Sequence, residues 1–486
     1  MQATTSSISE VKKRTLTGAV SYFARTLILQ GLGIGAIFVL SVYFSPEDFA
    51  IYGFVTQIIG ILIFFSDIGL AAALVQKKTE PTLSEYRTAF TLQQCLSWLI
   101  VLASMGIAAT GIVQSKTGTT GLWILGSLAL SFPLATLKTI PSVMLERKLQ
   151  FSKLILPQIF EQLVFQIILV YGAINGFGAF AYTYAILARS VVGVLVMWWL
   201  QPWSIGLGLD LPAFKHLLGF GVKFQINDFL ARIKDQLFYL ILGLWLPLKE
   251  FGYVQWAKNW SMYPYNLTVQ NVMAVTFPAF ARLQHEPGAL AKAIEKSLYF
   301  ITLAIFPILV GIAIFIQPFL TLVPVYHKWL PAVASLILFS LSIAWSAIST
   351  PLTNTLNAIG QINQTLKLML FWTGLTWLLT PILIYFMGYN GVALSALIIS
   401  FTSFMPVKMV QKLVPFQFWD QIWRQTLAAS AMGIIGYSLR WYWVKGWQEF
   451  ALGIAACSFI YGLGLLLTGI KKLRSEVASI IIKRVE

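Results

Sequence analysis

Long apolar runs, separated by short polar segments, recur along the chain from residue 17 to residue 470. Each run is long enough to cross the roughly 30 Å hydrocarbon layer of a bilayer as a helix. A helix satisfies its own backbone hydrogen bonds in lipid, so the pattern predicts an all-α integral membrane protein. About fourteen transmembrane helices are predicted, near residues 17–43, 49–74, 88–112, 120–145, 154–175, 179–200, 219–246, 251–281, 297–318, 330–358, 364–387, 390–411, 424–443 and 448–470.

Two predicted outer turns share a pattern. Pro46–Tyr52 reads PEDFAIY and Pro247–Tyr253 reads PLKEFGY, and six spans separate them. Both units then start from the same side of the membrane, as in the parallel repeats of transporters. The repeat predicts two six-helix lobes around a central cavity, followed by a C-terminal helix pair. The predicted divisions are a cytoplasmic N-terminal segment (1–16), an N-terminal lobe (17–205), a C-terminal lobe (206–412), and an additional hairpin with a cytoplasmic tail (413–486).

Composition removes the soluble alternatives. The 486 residues are 58% hydrophobic and 11% charged, whereas soluble domains carry roughly 25% charged residues. The mean hydropathy is +0.76. The predicted outer loops are all short, so no extracellular catalytic domain is expected.

The net charge of +16 could indicate nucleic acid, but its distribution indicates a membrane. With the N-terminus placed in the cytoplasm, 24 of the 34 Lys and Arg residues fall in inner segments and 5 in outer segments. This asymmetry follows the positive-inside rule and places both termini in the cytoplasm. The inner cations are expected to contact anionic lipids. Nucleic acid is not an expected partner, because the Lys and Arg residues lie in short segments between apolar runs and do not gather on one amphipathic face.

Catalytic and metal-binding motifs are missing from the sequence. The two cysteines and three histidines show no ligand spacing, so no metal site is predicted. The GxxxxGK[ST], HExxH and GxSxG patterns are absent. ATP is therefore not expected as the direct energy source. We expect no cofactor and no catalytic residues, and predict that the protein is not an enzyme.

The seventh predicted span, 219–246, is unusually polar, since it carries Asp228, Arg232, Lys234 and Asp235. A charge at mid-membrane costs at least ~2.5–3.5 kcal/mol on insertion scales. Such a helix is interpreted as a wall of a hydrated cavity. The alternative is self-neutralisation, because Asp228 with Arg232 and Arg232 with Asp235 have the spacing of intrahelical ion pairs.

Other spans add polar groups to the predicted cavity. The cations Arg25, Arg189 and Lys258 join Arg232 and Lys234 as candidate substrate-binding residues; snorkelling or ion pairing is their alternative explanation. A positive cavity suits an anionic substrate, whose phosphate oxygens Arg can bind in bidentate fashion. The candidate residues for ion pairing or for coupling to Na⁺ or H⁺ are Asp67, Glu161, Asp228 and Asp235. A helix-end cap is the alternative for Asp67. A Ser/Thr stripe in the tenth span either adds to the polar lining of the cavity or allows close helix packing.

Five stretches follow one another along the chain: SPEDFAIYGFV (45–55), SDIGLAAALVQKK (66–78), MLERKLQFSKL (144–154), FLARIKDQLFYLILGLWLPLKEFGYVQWAKNW (229–260) and VTFPAFARLQ (275–284). Together and in this order, they resemble the polysaccharide-transporter branch of the multidrug/oligosaccharidyl-lipid/polysaccharide exporter superfamily, the Wzx-type flippases. Arg232 and Asp235 occupy the family's R-N-x-D positions, whereas Leu242–Gly243–Leu244 lacks the Arg of its I-G-R.

The resemblance implies alternating access around the cavity and a polyprenyl-pyrophosphate-linked oligosaccharide as substrate. It also implies the bacterial inner membrane as location, a polysaccharide polymerase and chain-length proteins as partners, and a lipid-tail role for 424–470. Two alternative functions stay open. A cation-coupled multidrug exporter of the same fold would favour a more acidic cavity, and a membrane polysaccharide polymerase or ligase would need a larger outer loop.

Overall fold

The structure, a computed structural model, describes residues 25–63, 66, 69–77, 79–212, 214 and 236–482. The chain forms two compact units, Met1–Gly252 and Tyr253–Glu486. In the first unit the helices are α1 (Arg25–Tyr43), α2 (Pro46–Leu62), α3 (Leu70–Gln76), α4 (Leu83–Ala109), α5 (Ile112–Arg147), α6 (Phe151–Ile174), α7 (Ala181–Leu200) and α8 (Gln236–Trp245). From the end of that unit onward they are α9 (Leu248–Tyr265), α10 (Asn271–Arg282), α11 (Pro287–Leu322), α12 (Val333–Ala358), α13 (Ile362–Met387), α14 (Asn390–Ser400), α15 (Phe404–Gln411), α16 (Phe418–Ser438) and α17 (Trp447–Ile482).

The expectation of an all-helical membrane protein is confirmed. Ten helices are long and apolar enough to cross a bilayer, and no strand occurs in the described ranges. The count of fourteen spans stays a prediction, because α2, α8, α9 with α10, and α16 are not among those ten. The lobe boundary at 205/206 also stays a prediction.

The second span is not the single helix predicted over 49–74. Helix α2 ends at Leu62, and α3 begins after Gly69, which has a left-handed φ of +73°. A residue with a Cβ adopts that conformation only at a cost, so Gly69 marks a built break. The Arg147 guanidinium then binds the C-terminal end of α3, donating to the carbonyls of Leu74, Val75, Lys77 and Thr79 at 2.8–3.2 Å.

The eighth span, predicted over 251–281, is also interrupted. A π-helical turn over Asn266–Gln270 separates α9 from α10 and follows Pro264. Proline removes a helical hydrogen bond, and π turns accommodate such irregularities. The span is therefore not one regular α-helix, and the register of its side chains shifts at the π turn.

Hydrogen bonds to one carboxylate hold the first repeated turn in place. Pro46 opens α2, and the Asp48 carboxylate accepts the Ser45 and Ala179 backbone N–H groups at 2.8 and 2.7 Å. The second repeated turn packs on the first, because a Cβ on Gly252 would overlap the Pro46 carbonyl. This close approach explains why the second turn carries glycine there.

Hydroxyl groups join the helices of the second unit. Ser261 of α9 lies 3.2 Å from Ser340 of α12, and the Tyr265 hydroxyl lies 2.9 Å from that of Thr350. The Ser342 hydroxyl of the predicted stripe donates to the Ala396 carbonyl of α14 at 2.9 Å. Small polar residues let helices approach and bond in this way within lipid.

Candidate functional site

An ion pair lies inside the helical body of the first unit. The Lys138 ammonium of α5 pairs with the Glu161 carboxylate of α6, and both side chains are about one-fifth exposed. Glu161 occupies the space that a side chain on Gly193 of α7 would need. Three helices therefore meet at this carboxylate, and a glycine in α7 makes room for it.

A second cation lies one helical turn away. Arg189 precedes Gly193 by four residues on α7, and Phe165 follows Glu161 by four residues on α6. The half-buried Arg189 guanidinium lies over the Phe165 ring, 4.8 Å from its centroid. In the part of the chain that the structure describes, no carboxylate lies within ion-pair distance of Arg189. Among the described residues, Glu161 therefore pairs with Lys138, whereas the contact of Arg189 is an aromatic ring.

Aromatic rings border this cluster. The rings of Tyr52 and Tyr182 stack with centroids 3.8 Å apart and planes 5° apart. Tyr182 also contacts Phe44 and Phe165, at 5.6 and 6.3 Å between centroids. Rings with polar edges can keep a guanidinium partly dehydrated, which strengthens its binding of an anion.

The structure places four of the predicted site residues. It brings Glu161 and Arg189 together on adjacent turns, with Arg25 half-buried on α1 of the same unit. Lys258 is half-buried on α9, within the second unit. The remaining predicted residues lie outside the described residues: Asp67, Asp228, Arg232, Lys234 and Asp235.

Three members of the cluster were missed by the sequence analysis. Lys138 counted there only as one of the inner cations, and the stacked Tyr52 and Tyr182 were not candidates. The spacing of these residues in the sequence was a usable signal. Gly193 lies one helical turn after Arg189 on α7, and Phe165 lies one helical turn after Glu161 on α6. The pairing of α5 with α6 cannot be read from either helix alone.

The second unit contains an apolar cavity of about 670 Å³. Residues from α11, α12 and α16 line it, and its few polar positions, among them Thr426 and Ser430, all come from α16 except the indole of Trp345. Helix α16 is the first helix of the predicted C-terminal pair. The lining residues are Phe306, Val310, Ala313, Ile314, Ile337, Leu341, Ala344, Trp345, Thr426, Ala429, Ser430, Gly433, Ile434, Tyr437 and Ser438.

Metal chemistry has no evident place among the described residues, where no group of three or more His, Cys, Asp or Glu side chains could hold an ion.

Comparison with known proteins now identifies the family. The model of the family described as "Polysaccharide biosynthesis protein" matches residues 39–334, more than half of the chain. The chain belongs to this family. The resemblance to the Wzx-type polysaccharide transporters, stated above from its motifs, is thereby confirmed.

Curated relatives extend the match over nearly the whole chain. The chain is 24% identical to the teichuronic acid biosynthesis protein TuaB of Bacillus subtilis, over 85% of this chain and 86% of the relative. It is 22% identical to the lipopolysaccharide biosynthesis protein WzxC of Escherichia coli, over 94% and 89%. The succinoglycan biosynthesis transport protein ExoT of Rhizobium meliloti is 21% identical over 71% and 68%.

Solved structures share the fold. The inward closed conformation of the lipid II flippase MurJ superposes with a TM-score of 0.72 at 13% identity, covering 93% of this chain and 98% of that one. An inward-facing multidrug resistance MATE family transporter gives 0.57 at 13% identity, over 81% and 98%. At these identities the likeness establishes the fold of multi-pass membrane transporters and nothing finer.

Proposed function

We propose that this protein is a flippase that moves a polyprenyl-pyrophosphate-linked oligosaccharide across the cytoplasmic membrane of a bacterium, without covalent chemistry. The observation that carries the proposal is Arg189. It is a half-buried membrane cation held against a ring, with no carboxylate in ion-pair distance among the described residues. An embedded cation without an acidic partner is costly, and a diphosphate would supply the negative charge that the described residues do not place beside it.

The apolar cavity of the second unit supports the same substrate class. A lipid-linked sugar has a charged head and a long hydrocarbon tail, and the cavity walls from α11, α12 and α16 suit the tail. Filling an apolar cavity with hydrocarbon is favourable by roughly 25 cal/mol per Å² buried. The names of the relatives, which refer to teichuronic acid, lipopolysaccharide and succinoglycan biosynthesis, fit a surface polysaccharide precursor.

The proposal includes alternating access between two six-helix lobes, fourteen spans and cytoplasmic termini. Within it, Arg25, Arg232, Lys234 and Lys258 join Arg189 in binding pyrophosphate and acidic sugars. Asp67, Asp228 and Asp235 form ion pairs or couple transport to Na⁺ or H⁺, and Glu161 exchanges its bond with Lys138 during the cycle. A polysaccharide polymerase and chain-length proteins act on the product.

The experiment compares three variants in proteoliposomes that contain a fluorescent polyprenyl-pyrophosphate oligosaccharide. We expect Arg189→Gln to abolish flipping, Arg189→Lys to retain part of it, and Arg440→Gln to leave it unchanged. Arg440 is a matched control, because it also lies over rings, 4.2 Å from Tyr437 and 4.9 Å from Trp441. Arg232→Ala is expected to abolish surface glycan in cells while the protein still inserts.

Other results would reject the proposal. Undiminished flipping by the Arg189→Gln variant would contradict the role of Arg189 on which the proposal depends. Transport of a lipophilic cation in place of the lipid-linked sugar would favour the multidrug exporter. Lengthening of the glycan by the purified protein would favour the polymerase.

A further inference from the structure

The last helix of the chain consists of two segments. Helix α17 runs from Trp447 to Ile482, but only Trp447–Gly469 is apolar enough to span a membrane. Gly469 has non-helical angles, φ −164° and ψ 32°. Residues 470–482 therefore form a separate helical segment, about 20 Å long at 1.5 Å per residue.

Contacts with α16 fix the position of this break. The Arg424 Nε–H donates to the Thr468 carbonyl at 3.1 Å, and its Nη1 donates to the Asp420 carboxylate at 3.2 Å. A Cβ on Gly469 would come within 2.7 Å of the Arg424 Cδ. The ion-paired arginine thus lies directly at the bend, where the membrane segment ends.

The sequence beyond the break is amphipathic. At 100° per residue, five apolar residues fall within one arc about 100° wide. Lys471, Lys472 and Glu476 fall outside this arc, and Arg474 flanks it. The apolar residues of the arc are Ile470, Leu473, Val477, Ile480 and Ile481, whereas Ile482 falls on the other side of the helix. From residue 470 to the end the chain has five basic and two acidic residues.

This combination excludes two other environments. The segment is too charged to cross the bilayer core, and a helix in water would leave a continuous apolar stripe exposed. A basic amphipathic helix next to a membrane span suits the bilayer surface, where apolar residues enter the acyl boundary and cations meet headgroups. We propose that residues 470–482 form an interfacial helix that binds anionic phospholipid headgroups on the side of the membrane where α17 ends.

Nitroxide scanning of the full-length protein tests the proposal. In a Cys95→Ser, Cys457→Ala background, single cysteines at 473, 477 and 480 probe the apolar arc, and cysteines at 472, 475 and 479 probe the polar side. Accessibility to oxygen and to a water-soluble nickel chelate is measured in phosphatidylcholine vesicles with and without phosphatidylglycerol. We expect oxygen accessibility to peak at 473, 477 and 480 in the anionic vesicles.

Charge variants separate lipid binding from packing on protein. The variant Lys471→Gln, Lys472→Gln, Arg474→Gln is expected to weaken the association of residues 470–482 with the anionic bilayer surface about 100-fold. The matched control, Lys367→Gln, Lys408→Gln, Lys412→Gln, removes three exposed cations elsewhere and should change nothing. Equal water accessibility at all six positions would overturn the proposal. So would a periodic pattern that survives both neutral vesicles and the triple tail variant, because that pattern would place the helix on protein.

Discussion

The two units differ in what their helices enclose. In the first unit, α5, α6 and α7 surround the Lys138–Glu161 pair and Arg189. In the second, α11, α12 and α16 surround an apolar cavity with few polar edges. Helices α11 and α12 are more apolar than α5, α6 and α7, and the charged residues of the first unit stand at single turns of otherwise apolar helices. The comparison teaches that a few residues decide whether a group of membrane helices encloses charge or an apolar space. Under the proposed function, the first would bind the charged head of the substrate and the second its hydrocarbon tail.

The largest effect is expected from Gly193→Ala. The new Cβ would overlap the Glu161 carboxylate and push it away from Lys138. Overpacking of this kind costs roughly 1–3 kcal/mol, and we expect flipping to fall to background. Gly126→Ala is the control, because nothing lies within 4 Å of a Cβ there. Flipping rates in proteoliposomes give the measurement, and equal rates for the two variants would contradict the polar cluster as a working site.

A double-mutant cycle tests whether the Lys138–Glu161 ion pair serves transport or stability. Lys138→Met alone leaves the Glu161 carboxylate largely buried without its partner, which costs up to about 3–5 kcal/mol. Lys138→Met with Glu161→Leu should recover most of the lost thermal stability. Recovery of stability without recovery of flipping would assign the pair to transport, whereas recovery of both would make it structural. Denaturation in detergent, followed by size-exclusion chromatography, measures the stability.

Filling the cavity of the second unit tests the other half of the comparison. Ser430→Trp places an indole among the α16 residues that line the cavity, and Leu427→Trp places the same ring on an exposed face of the same helix. We expect Ser430→Trp to slow flipping of a long polyprenyl substrate several-fold and to spare a short-chain analogue. Leu427→Trp should spare both. Equal slowing of the two substrates would show that the cavity does not hold the tail.

The smallest effect on transport is expected from Arg147→Lys. Four carbonyls accept hydrogen bonds from the two terminal nitrogens of this arginine, so it is a structural cation, unlike Arg189. An ammonium cannot reproduce the planar fork of a guanidinium, and amide hydrogen exchange over 70–80 should speed up while flipping changes little. Lys148→Gln, an exposed neighbour, is the control. A large loss of flipping in the Arg147→Lys variant would contradict the purely structural role of Arg147.

The sequence by itself determined the class of the molecule. A membrane accepts only structures that satisfy their own backbone hydrogen bonds, so the long apolar runs had to be helices. The positions of most helices followed from the same runs. Arg189 and Glu161 stood out because a charge within an apolar run is costly. The ordered motifs indicated the family, and the family model and the curated relatives agree.

Only the tertiary structure decided which of these residues meet. Periodicity within one helix cannot show that Lys138 of α5 reaches Glu161 of α6, or that Gly193 of α7 makes room for it. The break before α3 depends on a single left-handed glycine. A hydropathy profile averages over many residues, so it does not show such a break. The apolar cavity is a space between three helices distant in sequence. Apolar side chains that line a cavity and those that face lipid look the same in sequence, because both avoid water for the same reason.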